Sequence, residues 1–278
     1  MILMNNISVV ICVRNGMSTL ERCLISVVKN DPSELIIIDG NSSDKTIEIA
    51  KLYTNNIYSD EGRGLATARQ MGANLSVSEY IAYIDCDTEL PNPSILSELL
   101  KEMQNNKWIA IHAQVKDPRR NKSYWEKGEN FHFENHQNIP GEKKIIGTIV
   151  CIVRRDIILK YKFDPKFEGA AEDGDFFYRI GKDGLKFGTG SQIAYHYHRS
   201  NFKQFIRQRI WYGKGNFKMA NKNKNLMSII GPLGIFTYGF ILCFTKKKII
   251  FLPFYFVWSL FLSCGIFIGL IKAITGWS

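Results

Sequence analysis

Three strand-forming runs constrain this chain more than any other feature. Ile7–Cys12 is apolar and β-branched, as a strand covered on both faces requires, and Glu34–Ile38 and Tyr80–Ile84 repeat the pattern. Helical segments separate them. Ser18 and Glu21 have the spacing of a capping box opening a helix to about Lys29. Further helices are expected over Thr46–Tyr53, Gly62–Asn74 and Pro91–Gln104. Trp108–Ala113 reads as another strand, Ile145–Val153 as a returning one, Asp173–Lys182 as a helix and Gln192–His196 as the last strand. Strands alternating with helices give a doubly wound α/β layer structure. Residues 114–146 are polar and irregular and read as a loop region over one side of the sheet.

Charge divides the chain. The net charge of +10 looks at first like a nucleic-acid signal. Residues 1–198, however, carry 24 Lys and Arg against 26 Asp and Glu, whereas residues 199–278 carry 12 basic residues and no acid. From Arg199, the basic residues Lys203, Arg207, Lys214, Lys218 and Lys222 recur every three to four positions or multiples of them. Phe202, Phe205, Ile206, Ile210 and Phe217 fall largely on the opposite face, the pattern of a helix lying in a bilayer interface. Leu226–Thr245 and Ile249–Ile271 then run for 20 and 23 residues without a charge. Each is long enough to cross about 30 Å of hydrocarbon. The expected partner is therefore a membrane and not a nucleic acid. The segments are read as a hairpin of membrane helices, with the N-terminal domain on the cytoplasmic side by the positive-inside rule. Gly231, Pro232, Gly234 and Gly239 leave open a re-entrant or in-plane first segment.

The six cysteines form no CxxC pair and no metal-like spacing, so buried free thiols in a reducing compartment are expected. The N-terminus lacks a basic region before its apolar run and is read as the first strand, not a signal peptide.

Several acidic residues stand where chemistry is done in open α/β sheets, just past strand ends. Asp39 closes the second strand, and Asp85-Cys86-Asp87 closes the third. Carboxylates two residues apart can share a hard cation and its phosphate oxygens. Glu172-Asp173-Gly174-Asp175 opens a helix after a small-residue turn, where a carboxylate can serve as a general base or simply favour the helix N-terminus. His196 and His198 follow the last strand and could complete a metal site or contact phosphate; His112, His132 and His136 read as structural. No GxGxxG follows the first strand, which argues against a dinucleotide dehydrogenase.

Taken in order, Ser8–Asn15, Ile36–Thr46, Ala66–Gly72, Tyr80–Asp87, Phe163-Asp164 and Glu172–Asp175 resemble the motifs of the family 2 glycosyltransferases. The resemblance covers about residues 6–215. It implies the GT-A fold, a doubly wound mixed sheet with helices on both faces, here followed by the amphipathic helix and the hydrophobic membrane helices. It implies a nucleotide-sugar-binding half over residues 1–110 and an acceptor-side half over 111–198, then the interfacial helix at 199–225 and the membrane segments at 226–271. By the same resemblance Asp173 is the catalytic base. Asn15, Asp39, Arg69, Asp85 and Glu172 bind substrate, with Asp39 on the base, and Asp87 and His196 hold Mg²⁺ or Mn²⁺. The implied reaction moves one sugar, with inversion, from a nucleotide-sugar donor to a hydroxyl on a membrane lipid or polyprenyl-phosphate carrier. Gln204-Phe205-Ile206-Arg207 is followed by Gln208, where polymer-forming members carry Trp, which implies single transfer. Two alternatives remain: a sugar-nucleotide-forming nucleotidyltransferase, which would need a Gly-rich basic loop that is lacking here, and a catalytically weak nucleotide-sugar-binding scaffold subunit.

Overall fold

A computed structural model describes residues 6–167, 169–198, 200–224 and 227–275. The chain divides into two compact units. The first comprises Met1–Pro118, Phe133–Glu168 and Glu172–Tyr197, and the second Arg119–His132, Gly169–Ala171 and His198–Ser278.

The first unit is built on one mixed sheet. Its strands are β1 (Ile7–Val13), β2 (Glu34–Asp39), β3 (Ile57–Ser59), β4 (Tyr80–Ile84), β5 (Thr88–Glu89), β6 (Ala110–Lys116), β7 (Gly141–Glu142), β8 (Val150–Arg154) and β9 (Phe187–His196). The order is β3-β2-β1-β4-β8-β6-β9-β5, with β7 pairing onto β9. β1 lies parallel to both β2 and β4. β8 then enters antiparallel between β4 and β6, while β6 and β9 run parallel to each other.

Alternate side chains of β1 face opposite layers, as strand geometry demands. Val9, Ile11 and Val13 join Leu24 and Val27 of α1 (Leu20–Val28) in a core with Ile37, Ala82 and Ile152. Val10 points the other way, toward α3 (Leu65–Leu75), the helix that follows the short α2 (Thr46–Ala50). Gly72 of α3 sits directly on Val10, and a Cβ there would collide with its side chain. Helices thus cover both faces, with α4 (Ile95–Asn105) on the Val9 side.

Several expectations need correction. The capping box at Ser18 does not form. The helix starts one residue later, at Leu20, and Thr19 makes no capping bond through its side chain. The 114–146 region is not a loop throughout, because β6 extends to Lys116 and α5 spans Tyr124–Asn135. The buried residues of α5 include Glu126, Glu129, Asn130 and His132 beside Phe131, so charged and polar groups interrupt the apolar signature of its inward face. The returning strand is shorter than expected and leads into α6 (Arg155–Tyr161); the last strand begins five residues earlier, at Phe187. α7 (Glu172–Lys182) begins one residue before the expected Asp173 and ends where expected.

In the second unit, α8 (Phe202–Asn223), α9 (Met227–Thr245) and α10 (Leu252–Thr275) form a three-helix bundle. α8 and α10 run parallel: Phe205 meets Phe254, Gly213 meets Gly265, and Phe217 meets Gly269, in step along both helices. α9 returns antiparallel, with Ser259 donating to the Pro232 carbonyl (2.9 Å) and Gly239 lying on the Tyr255 ring. Phe205 is buried as expected, but Phe202 is exposed and Arg209 is not. Arg209 is drawn inward because it pairs with buried Glu129 and lies 4.0 Å from the Trp258 ring centroid.

Candidate active site

The rim of the sheet formed by the ends of β2, β1 and β4 collects the acidic residues. Asp39, the last residue of β2, is buried. Its Oδ2 accepts the Ser42 amide (3.0 Å), whereas its Oδ1 is buried without a hydrogen-bond partner among the described residues. An unpaired buried acceptor is costly, and a donor on a bound ligand would relieve it. Asn15 follows β1 in the left-handed region (φ 52°). Its backbone donates to Ser42 Oγ (2.8 Å) and its side-chain oxygen accepts the Ser43 amide (2.8 Å). These bonds tie the turn after β2 to the end of β1.

Asp85 and Asp87 occupy the connection from β4 to β5, and His196 ends β9. The register of β5 on β9 sets Thr88 opposite His196, which brings the ring beside Asp87. One donor atom from each of Asp85, Asp87 and His196 lies within 4.8 Å of the other two. Two carboxylate oxygens and an imidazole nitrogen suit Mg²⁺ or Mn²⁺, so the residues present fit the expected ion. Burial pushes the Asp85 carboxyl up to about 6, with Asp87 and Asp173 adding to the effect and Arg69 and His196 opposing it. A site that disfavours its own carboxylate charge is one that a cation would complete.

Arg69 of α3 is buried. It pairs with Glu172 and approaches Asp85 at 3.5 Å, while its carbonyl accepts the Tyr83 hydroxyl (2.9 Å). Arg69 and Glu172 therefore brace the rim from below. Asp173 is the next residue on α7. Its Oδ1 accepts the Gly174 amide at 2.7 Å, and its Oδ2 faces Gly147 in the segment before β8.

One residue read as structural belongs in this cluster. His112 lies on β6, where a register shift interrupts the ladder between His112 and Gln114. Its Nε2 is buried and has no hydrogen-bond partner among the described residues. Asp173 Oδ2 and His112 Nε2 stand 3.7 and 3.8 Å from the point where a Cβ on Gly147 would be, so glycine leaves a methyl-sized notch between them. Burial pushes the imidazole down to about 4, which keeps it neutral near pH 7. A lone His in an apolar strand gives no sequence signal of this. His198 lies in the other unit, buried against Glu129 and Asn130.

A mixed sheet with a carboxylate and imidazole cluster at its rim defines an α/β protein with a candidate cation site at the strand ends. Residues 8–162 match the family model for Glycosyl transferase family 2, and the chain belongs to that family. Among curated proteins, it is 26% identical over 181 residues to a cholesterol galactosyltransferase of Borreliella burgdorferi, covering 55% of this chain and 49% of that one. It is 36% identical over 85 residues to the O-antigen chain rhamnosyltransferase WbaN of Salmonella anatum, covering 29% and 26%. The chain spans about half the length or less of these relatives. In fold it is similar to S. aureus TarS residues 1–349, with a TM-score of 0.54 at 14% identity over 98% of this chain and 92% of that one. The complex of that protein with UDP-GlcNAc gives a TM-score of 0.56 at 14% identity, over 81% and 66%.

Proposed function

We propose that this chain is an inverting glycosyltransferase. It moves one sugar from a nucleotide-sugar donor to a hydroxyl acceptor carried on a membrane lipid or polyprenyl phosphate. The observation that carries this reading is the convergence of Asp85, Asp87 and His196, with Asp173 close enough to raise Asp85. Relatives named for cholesterol, O-antigen and 4,4'-diaponeurosporenoate transfer support an acceptor in or near lipid. The eight basic residues ahead of the apolar helices support attachment of the catalytic unit to the anionic cytoplasmic leaflet.

The base of the donor nucleotide offers a donor to Asp39 Oδ1, and Asn15 holds the turn that frames it. Asp85, Asp87 and His196 would hold the divalent ion, which when bound offsets the charge developing on the leaving diphosphate. Arg69 fixes Asp85 and keeps Glu172 neutralised, so both are positioning residues. The acceptor oxygen attacks the anomeric carbon on the face opposite the diphosphate. As the new C–O bond forms, the bond to the diphosphate breaks and its electron pair leaves with the diphosphate oxygen. Asp173 takes the hydroxyl proton, and one displacement inverts the anomeric centre.

A screen of UDP-, GDP- and dTDP-sugars with Mn²⁺ tests this reading. At least one should raise the melting temperature of the purified protein only with metal, and should yield nucleoside diphosphate with a membrane lipid extract. Release of pyrophosphate instead, or no metal-dependent shift with any donor, would overturn it.

A further inference from the structure

The two apolar helices present a one-sided surface. On α10 the buried residues are Phe254, Tyr255, Trp258, Leu262, Gly265 and Ile266. Phe256, Leu260, Phe267, Leu270 and Ile274 stand exposed along the other face at helical spacing. α9 repeats this with Ile230, Leu233, Phe240, Ile241 and Phe244. A patch of this kind marks a contact with lipid or with another apolar surface.

The packing of α8 decides how lipid can be met. α8 runs beside α10 over most of its length, with Gly213 against Gly265 near the middle of α10. Were α10 to cross a bilayer, Gly265 would lie near the midplane. Lys214, next to Gly213, would lie there too, and Arg207 and Lys218 would stand at other depths within the core, with Lys203 at its edge. Cations at such depths are costly. The first turns of α10 are also covered by α5: Gly128 packs on Phe254, and His132 lies 4.6 Å from the Trp258 ring, ring centre to ring centre. Glu129 of the same helix is buried with Arg209. This polar cluster leaves that stretch of α10 no lipid contact on its inner side.

We infer that α8, α9 and α10 lie in the plane of one leaflet and do not span the bilayer. The exposed faces of α9 and α10 enter the hydrocarbon of that leaflet. Lys203, Arg207 and Lys214 of α8 meet anionic headgroup phosphates, and the exposed Lys246–Lys248 turn stays on the same side. The partner is an anionic lipid surface. This rests on the membrane association proposed above and replaces the hairpin reading of how it is achieved.

Two measurements on the full chain test it, and neither needs transfer activity. Lys247→Cys and Lys29→Cys variants are labelled with a membrane-impermeant maleimide in sealed bacterial vesicles of both orientations, with the unsubstituted chain as blank. Both cysteines should label from the same side; labelling of Lys247→Cys from the opposite side to Lys29→Cys would overturn the in-plane arrangement alone. Flotation with phosphatidylcholine vesicles containing phosphatidylglycerol should exceed that with phosphatidylcholine alone. Replacing Lys203, Arg207 and Lys214 by Glu should cut the bound fraction at least tenfold. Absence of flotation with either vesicle would overturn both the arrangement and the membrane association beneath it.

Discussion

His196 Nε2 lies 3.4 Å from Asp87 Oδ1, although the two residues stand 109 positions apart in the chain. The pair forms because β5, only two residues long, docks antiparallel on the end of β9. The same docking holds Asp87 just ahead of β5, where its carbonyl accepts the Tyr197 amide (3.3 Å).

Removing either member should expose that dependence. Asp87→Ala should weaken Mn²⁺ binding at least a hundredfold by calorimetry, and His196→Gln about tenfold. The double variant should lose little more than Asp87→Ala alone, because the two act on one ion. Additive losses would place His196 outside the site.

Asp173 is anchored by one oxygen, while the other faces the notch beside Gly147. Asp173→Asn keeps the anchor and removes the basicity. Transfer, read as nucleoside diphosphate release, should fall by a factor of about 10²–10⁴, while donor-induced thermal stabilisation remains. Wild-type turnover in a folded Asp173→Asn protein would assign the base elsewhere.

The raised carboxyl of Asp85 gives a pH dependence with a definite sign. A folded value of about 6 against 3.8 unfolded favours the protonated group. Its contribution to stability is fully present below pH 3.8 and is lost as the pH rises through about 6. Without metal, Asp85→Asn should therefore melt higher than the parent above pH 6, and the gap should close toward pH 4. Added Mn²⁺ should reverse the order above pH 6, since only the parent offers the carboxylate.

Arg69 and Glu172 form a buried ion pair joining α3 to α7. Arg69→Met leaves Glu172 buried and uncompensated, and should cost about 3–5 kcal/mol in urea unfolding. Arg69→Met combined with Glu172→Met should recover most of that stability but not the transfer activity, since Asp85 loses its brace. Recovery of both would make the pair purely structural.

What the sequence makes legible here is whatever has a short-range signature. β1, β2 and β4 announce themselves as apolar runs, and Asp39 and Asp85 follow from where those runs stop. α5 was illegible because its inward face holds Glu126, Glu129 and Asn130, satisfied by partners distant in sequence such as Arg209 and His198. The start of β9 was missed because Gly188 and Gly190 break the strand pattern, and both are there to admit close neighbours: Trp108 and Gly141 at one, Leu99 and Ile111 at the other. His112 carries no motif at all. Only its place beside Gly147 and Asp173 shows what its ring faces.

The reversed strand β8 has a consequence for specificity. Because it runs against β4 and β6, it delivers its beginning, and with it the segment 143–149, to the rim where β1, β2 and β4 end. The exposed Lys144 and Ile145 of that segment can change without disturbing the strands that frame Asp39 and Asp85, whereas Ile149 is held, its carbonyl accepting the Asp85 amide (2.9 Å). The side of the pocket proposed to meet the incoming hydroxyl is thereby free to be recut for a new molecule while the other side stays as it is.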